Sequence, residues 1–153
     1  VSSLIPPIEA LVPHRGAMCW LDRVVDAGPE HLVAEATVRA DHLLLQRGRL
    51  SAAAGIEYMA QAIAAWAGWQ RHQADGGPPR IGFLLGTRRY QCSRDGFAVG
   101  ELLRIRIQRQ FQADNGLGQF EAGLQVGDDR VASASLNVFG PDNPEAFLQG
   151  QAL

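Results

Sequence analysis

The stretch SAAAGIEYMAQAIAAWAGWQRH, residues 51–72, decides the fold. Ser51 reads as an N-cap, and residues 52 to about 72 read as a helix of roughly five to six turns. Alanine or glycine stands at ten positions between 52 and 68, with Ile56, Met59, Ile63 and Trp66 filling the spaces between. No wide polar face opens before Gln70. A helix apolar nearly all round is buried on most sides, and small side chains let a neighbouring backbone come close. Its natural host is a sheet that curls around it.

Working outward, the flanking sequence supplies that sheet. Upstream, residues 18–25 and 31–39 read as an antiparallel pair joined by the turn Ala27-Gly28-Pro29, with Leu32, Ala34, Ala36 and Val38 on one face. Residues 5–12 fit a short helix ending before Pro13. Downstream, Asp75-Gly76-Gly77-Pro78-Pro79 breaks the chain. Residues 81–86, 87–92, 102–111, 119–126 and 131–139 then read as strands, the last two joined through Gly127-Asp128-Asp129. Leu103, Ile105 and Ile107 alternate with Arg104, Arg106 and Gln108, the period of a half-buried strand. The expected layout is α+β with one antiparallel sheet, a single domain over residues 1–153 whose polar tail begins at about 141.

Composition narrows the function. The chain has 153 residues, 46% hydrophobic and 20% charged, which suits one folded domain. All 14 basic residues are arginine and face 16 acidic ones, for a formal charge of -2. A nucleic-acid binder held by phosphate contacts would show a basic excess, so none is expected. Cys19 and Cys92 form no metal-ligand spacing and no disulfide framework. Residues 1–10 lack a basic segment and a long apolar run, so no secretion signal is read. The most apolar stretch holds Glu57 and Gln61 near its middle, which a membrane span would resist. A cytoplasmic location is expected, with no membrane partner.

Glu57 is the most informative residue. A carboxylate amid apolar neighbours must be protonated, paired or facing a cavity. Burial and a helix N-terminus push its titration in opposite directions, the kind of tuning a proton donor needs. The competing reading is an ion pair with an arginine or the capping of a backbone group. Gln61, one turn further on the same face, can orient the carboxyl or bind substrate. Gly55 leaves room for a ligand carbonyl beside the N–H groups of a helix start. Of four histidines, His31 and His72 read as solvated, while His14 and His42 flank the helix-forming region and are candidates for catalysis or loop orientation. No nucleophile elbow, phosphate loop or dinucleotide fingerprint is present.

Leu11-Val12-Pro13-His14-Arg15 followed by Leu21-Asp22-Arg23-Val24 resembles the opening of the FabZ-type 3-hydroxyacyl-ACP dehydratases. Gly55-Ile56-Glu57-Tyr58-Met59-Ala60-Gln61-Ala62 resembles the start of their central helix. The wording of residues 55–65 and 82–88 is closest to the branch associated with aryl-polyene clusters. The resemblance covers residues 5–139 and implies the hotdog fold, a long helix wrapped by a curved antiparallel sheet. It further implies a dimer joined edge to edge, and a histidine and a carboxylate acting across the interface. Their substrate would be an acyl chain borne on the phosphopantetheine of an acyl carrier protein. No cofactor and no metal is implied. Glu57 matches the family's carboxylate.

The family's catalytic histidine sits in F-F-x-G-H-F-P, where this chain has Asp41-His42-Leu43-Leu44-Leu45-Gln46-Arg47-Gly48. Counting back from Glu57 puts His42 near the catalytic slot; counting forward from residues 34–38 puts Gln46 or Arg47 there. The expectation is a dehydratase with Glu57 as acid and His42 as base, and with Gly55, Gln61 and His14 on the substrate. It works as a homodimer or as a heterodimer with a related dehydratase. Two alternatives stand beside it: a non-catalytic acyl-binding subunit of a heterodimer, and a hotdog acyl thioesterase. Arg88, Arg89, Arg94, Arg104, Arg106 and Arg109 are candidates for docking an acidic carrier.

Overall fold

The computed structural model describes residues 5–77 and 82–140. In chain order these form β1 (Arg23–Ala27), β2 (His31–Thr37), β3 (Arg49–Ser51), α1 (Ala54–Ala74), β4 (Phe83–Cys92), β5 (Gly96–Ala98), β6 (Leu102–Gln112), β7 (Leu117–Val126) and β8 (Asp129–Phe139). The strands other than β3 and β5 make one antiparallel sheet in the order β1-β2-β6-β7-β8-β4. The long helix against an antiparallel sheet read from residues 51–72 is the layout observed, and it is the α+β hotdog architecture that the resemblance implied.

Alternation explains which face the sheet turns to α1. Leu103, Ile105 and Ile107 of β6 are buried, as are Leu32, Ala34 and Ala36 of β2, while Arg104 and Arg106 face solvent. On β7 and β8 the inward positions are partly alanines, Ala122 pairing with Ala134 across the strands. Small residues there let the sheet curve toward the helix. Gly68 serves the same closeness on the helix side, because a Cβ there would meet the carbonyl oxygen of Leu11.

Several local expectations change. The helix begins at Ala54 rather than after Ser51, because Ser51 pairs with Gly96 in β3–β5, a small second sheet absent from the sequence reading. The expected helix over residues 5–12 is a single 3-10 turn, Ile8–Ala10. The first strand starts at Arg23, later than expected, since Gly16–Met18 forms another 3-10 turn. The two strands expected over 81–86 and 87–92 are one strand, β4, which absorbs bulges at Leu84/Gly86 and Arg88/Gln91. Pro78, Pro79, Ile81 and the tail from about residue 141 lie outside the described residues. Among those described, no helix is long and apolar enough to cross a membrane.

Candidate active site

Glu57, Ala60, Ala64, Ala67 and Arg71 follow one another at spacings of three and four, so they share one face of α1. The three alanines leave a groove where larger side chains would have filled it. Above them lies a cavity of about 410 Å³, walled by Phe83 and Leu84 of β4, Phe120 of β7, and Val138 and Phe139 of β8. Its size falls in the range of small-molecule sites. Glu57 and His14 both line it, and Arg71 does too.

Within this cavity the Glu57 carboxyl is oriented by a hydrogen bond. Gln61 Nε2 donates to Glu57 Oε2 at 2.8 Å and to the Met18 carbonyl at 2.9 Å. Gln61 Oε1 in turn accepts the Trp20 N–H at 2.9 Å. Both ends of this wholly buried amide are thus engaged by protein, one of them with Glu57. No arginine pairs with Glu57 among the described residues; its ionic neighbour is His14, whose Nε2 lies 3.8 Å from Glu57 Oε2. The two side chains remain 41% and 27% exposed, so each can reach a ligand.

His14 owes its place to a braced loop. Leu11 and Val12 are fully buried, and Arg15 Nη1 donates back to the Val12 carbonyl at 2.6 Å and to that of His14 at 2.8 Å. His14 Nδ1 is buried with no hydrogen-bond partner. The Asp22 carboxylate of the same opening motif is a brace as well, accepting from the Thr37 N–H at 2.7 Å and from Arg39 at 2.8 Å.

His42 and Gly55 are placed elsewhere. His42 lines a separate pocket with Gly16, Cys19, Trp20 and Arg39, its ring 4.2 Å from that of Trp20. Its Nδ1 accepts the Leu44 N–H at 3.1 Å, leaving Nε2 as the buried, unpartnered donor. Burial, and then the charge of Arg39, holds its pKa below the ordinary histidine value, with Asp41 opposing. Within one chain, therefore, His14 and not His42 stands beside Glu57. Gly55 is buried against Tyr90 and Leu124, and its N–H donates to the Ala52 carbonyl at 3.1 Å. It supports close packing of α1 rather than lining the cavity.

The arginines proposed for docking divide. Arg94, Arg104 and Arg109 pair with Glu101, Glu35 and Glu30, and Arg89 lies 3.9 Å from Glu121, while Arg88 and Arg106 are exposed. The sequence reading passed over Arg71 and the aromatic wall of the cavity. The three-and-four spacing from Glu57 to Arg71 was the signal available, hidden because the helix is apolar on its other faces too. Among the described residues no group of three or more His, Cys, Asp or Glu could hold a metal.

The dehydratase heterocomplex ApeI:P from Xenorhabdus doucetiae superposes with a TM-score of 0.87 at 29% identity, over 94% of this chain and 96% of that one. A hypothetical thioesterase with coenzyme A from Streptococcus pneumoniae gives 0.58 at 13% identity over 79% and 88%, a likeness of fold alone. The E. coli PaaI protein of the phenylacetic acid degradation operon gives 0.57 at 16% over 76% and 80%, again fold alone. No curated protein sequence matches the chain. The ApeP dehydratase family model matches residues 6–149, nearly the whole length. The helix, the cavity and this match lead to one conclusion: the chain belongs to the ApeP dehydratase family and is a hotdog-fold dehydratase.

Proposed function

We propose that this dehydratase removes water from a 3-hydroxyacyl thioester carried by an acyl carrier protein, in aryl-polyene-type chain assembly, as one subunit of a heterodimer with a related dehydratase. The observation that carries the chemistry is the placement of Glu57 and His14 side by side at one end of an acyl-sized apolar cavity. Elimination needs a base at C2 and an acid at the C3 oxygen. His14 takes the C2 proton, and the C–H electron pair becomes the C2–C3 double bond. The C3–O bond breaks, and the departing oxygen takes a proton from Glu57 and leaves as water. Gln61 fixes the carboxyl for that transfer, and the apolar walls keep bulk water from adding back. Neither an inert subunit nor a thioesterase is favoured, given the family match.

A second reading of the base rests on a specific observation. His42 Nε2 is unpartnered, and the exposed Leu43 and Leu44 follow it in the chain. Such a residue could be presented to the cavity of a partner subunit. One experiment separates the two. In the purified heterocomplex with 3-hydroxyacyl carrier substrate, Glu57→Gln and His14→Asn should each lower kcat by about 10²-fold or more while the fold survives. His42→Asn should stay near wild type. Loss with His42→Asn and retention with His14→Asn assigns the base across the interface. Unchanged turnover in Glu57→Gln removes the mechanism altogether.

A further inference from the structure

The strand that walls the cavity also reaches the start of α1, through a side chain outside the cavity wall. In a regular strand Tyr90 would share a face with Arg88. β4 instead carries an extra residue between Arg88 and Gln91, where its register against Ser135 and Ser133 shifts. Arg89 takes up the change with a φ of 54°, in the left-handed region that a side chain rarely adopts. Arg88 and Arg89 are therefore both exposed, and Tyr90 turns in against the core. Strain of this kind persists where the surroundings hold it, and a bulge re-aims the side chain beside it.

The target of Tyr90 is the junction between β3 and α1. Its hydroxyl donates to the Ala52 carbonyl at 2.5 Å. The same carbonyl accepts the Gly55 N–H at 3.1 Å, and the Ala52 N–H donates to the Asp95 carbonyl at 3.2 Å. The helix start at Ala53 has no side-chain cap, so its first turn takes its hold from β4 instead. Gly55 completes the fit, because a Cβ there would collide with the Tyr90 hydroxyl. Burial raises the pKa of that hydroxyl above the ordinary tyrosine value, so it stays a donor through the neutral range. Glu57 stands in this first turn, two residues after Gly55. Gln61 holds its carboxyl from one turn further along, and the Tyr90 contact holds the backbone from which the side chain departs.

We infer that Tyr90 is a positioning residue for the acid: its bond to the Ala52 carbonyl sets the first turn of α1, and with it the reach of Glu57 to the C3 oxygen of the substrate. This rests on the reading of Glu57 as the proton donor. A misplacement of about 1 Å costs up to about 10²-fold in rate, and it leaves contacts with the rest of the substrate in place.

Tyr90→Phe keeps the ring and removes only the hydroxyl. In the complex with the partner dehydratase, its kcat on a 3-hydroxyacyl carrier substrate should fall about tenfold, with KM within about twofold of wild type. A saturated acyl pantetheine amide has no hydroxyl to lose, and calorimetry should find its affinity unchanged. Rates are read well below both melting temperatures, where a purely structural role for Tyr90 leaves kcat alone. Gly55→Ala reaches the contact from the helix side, displacing the hydroxyl with a methyl. Its kcat should fall likewise with the amide still bound, and it decides should Tyr90→Phe fail to fold. Glu57→Gln is measured alongside. Wild-type kcat in Tyr90→Phe beside a collapsed rate in Glu57→Gln overturns the inference and leaves the mechanism standing. A fall in kcat matched by lost binding of the amide also overturns it, because the cavity and not the acid was disturbed. Unchanged turnover in Glu57→Gln removes the mechanism, and the role of Tyr90 with it.

Discussion

At the scale of single residues, the site depends on which polar groups are engaged and which are left open. Gln61 is engaged at both ends, and one of its hydrogen bonds goes to Glu57, which in the proposed mechanism it holds. Replacing it by Glu keeps size and an acceptor for the Trp20 N–H, but sets two carboxyl groups against each other. Two such groups share a proton and hold it to higher pH than either alone. Gln61→Glu should therefore move the alkaline limb of the pH–rate profile upward, with KM little changed. A purely structural role for Gln61 would lower stability and leave that limb where it was. His42 makes a second residue-scale prediction. Its pKa is depressed in the folded protein, so the unfolded chain binds the proton more readily. Stability from this site is complete above the ordinary histidine value, about 6.5, and is lost as pH falls through it toward the folded value. His42→Gln should flatten the loss of Tm between neutral and mildly acidic pH, read by thermal melts across that window.

Elements show where local sequence was enough and where it was not. The register of β6 was legible because Leu103, Ile105 and Ile107 must all face one way. The helix was legible because its alanines and glycines suit only close packing on several sides. Its first turn was not, since Ser51 has both the chemistry of an N-cap and a pairing partner in Gly96, and tertiary pairing won. The length of β4 was hidden by Gly86 and by bulges, which look like a turn in a one-dimensional reading. Glu57 was legible as a lone acid in an apolar helix. His14 was legible as a candidate, but its pairing with Glu57 was not, because their proximity depends on how the loop at Pro13 folds back over α1. Gly68 tests the packing that makes this possible. A methyl there meets the Leu11 carbonyl, a backbone atom with no rotamer to yield. Gly68→Ala gains intrinsic helix propensity, yet should destabilise the protein by about 1–3 kcal/mol. Chemical denaturation would read this, and a stabilised variant would show that the helix does not lie so close.

For the whole molecule, one wall of the cavity and one edge of the sheet belong to the same strand. Among the described residues the strand order leaves β1 and β4 at the edges. β1 has 5 residues and a bulge at Val24/Asp26, a blunted edge. β4 has 10 residues and exposes Leu84 and Leu85. Phe83 and Leu84 of this same strand wall the cavity that Glu57 also lines. A partner sheet added along β4 would pair the edge, cover the leucines and close the groove over an acyl chain in one step. Assembly and turnover should then fail together. Leu85→Lys puts a charge on the edge and should weaken association with the partner dehydratase by tenfold or more, about 1.4 kcal/mol. Sedimentation velocity measures that loss, and Val25→Lys on β1 is the control that should leave association unchanged. Turnover of the Leu85→Lys chain should fall in proportion to the complex lost and return as partner is added in excess, because the catalytic groups are untouched. A Leu85→Lys chain that sediments alone and still turns over at the wild-type rate would show that one subunit's cavity is complete without the second sheet.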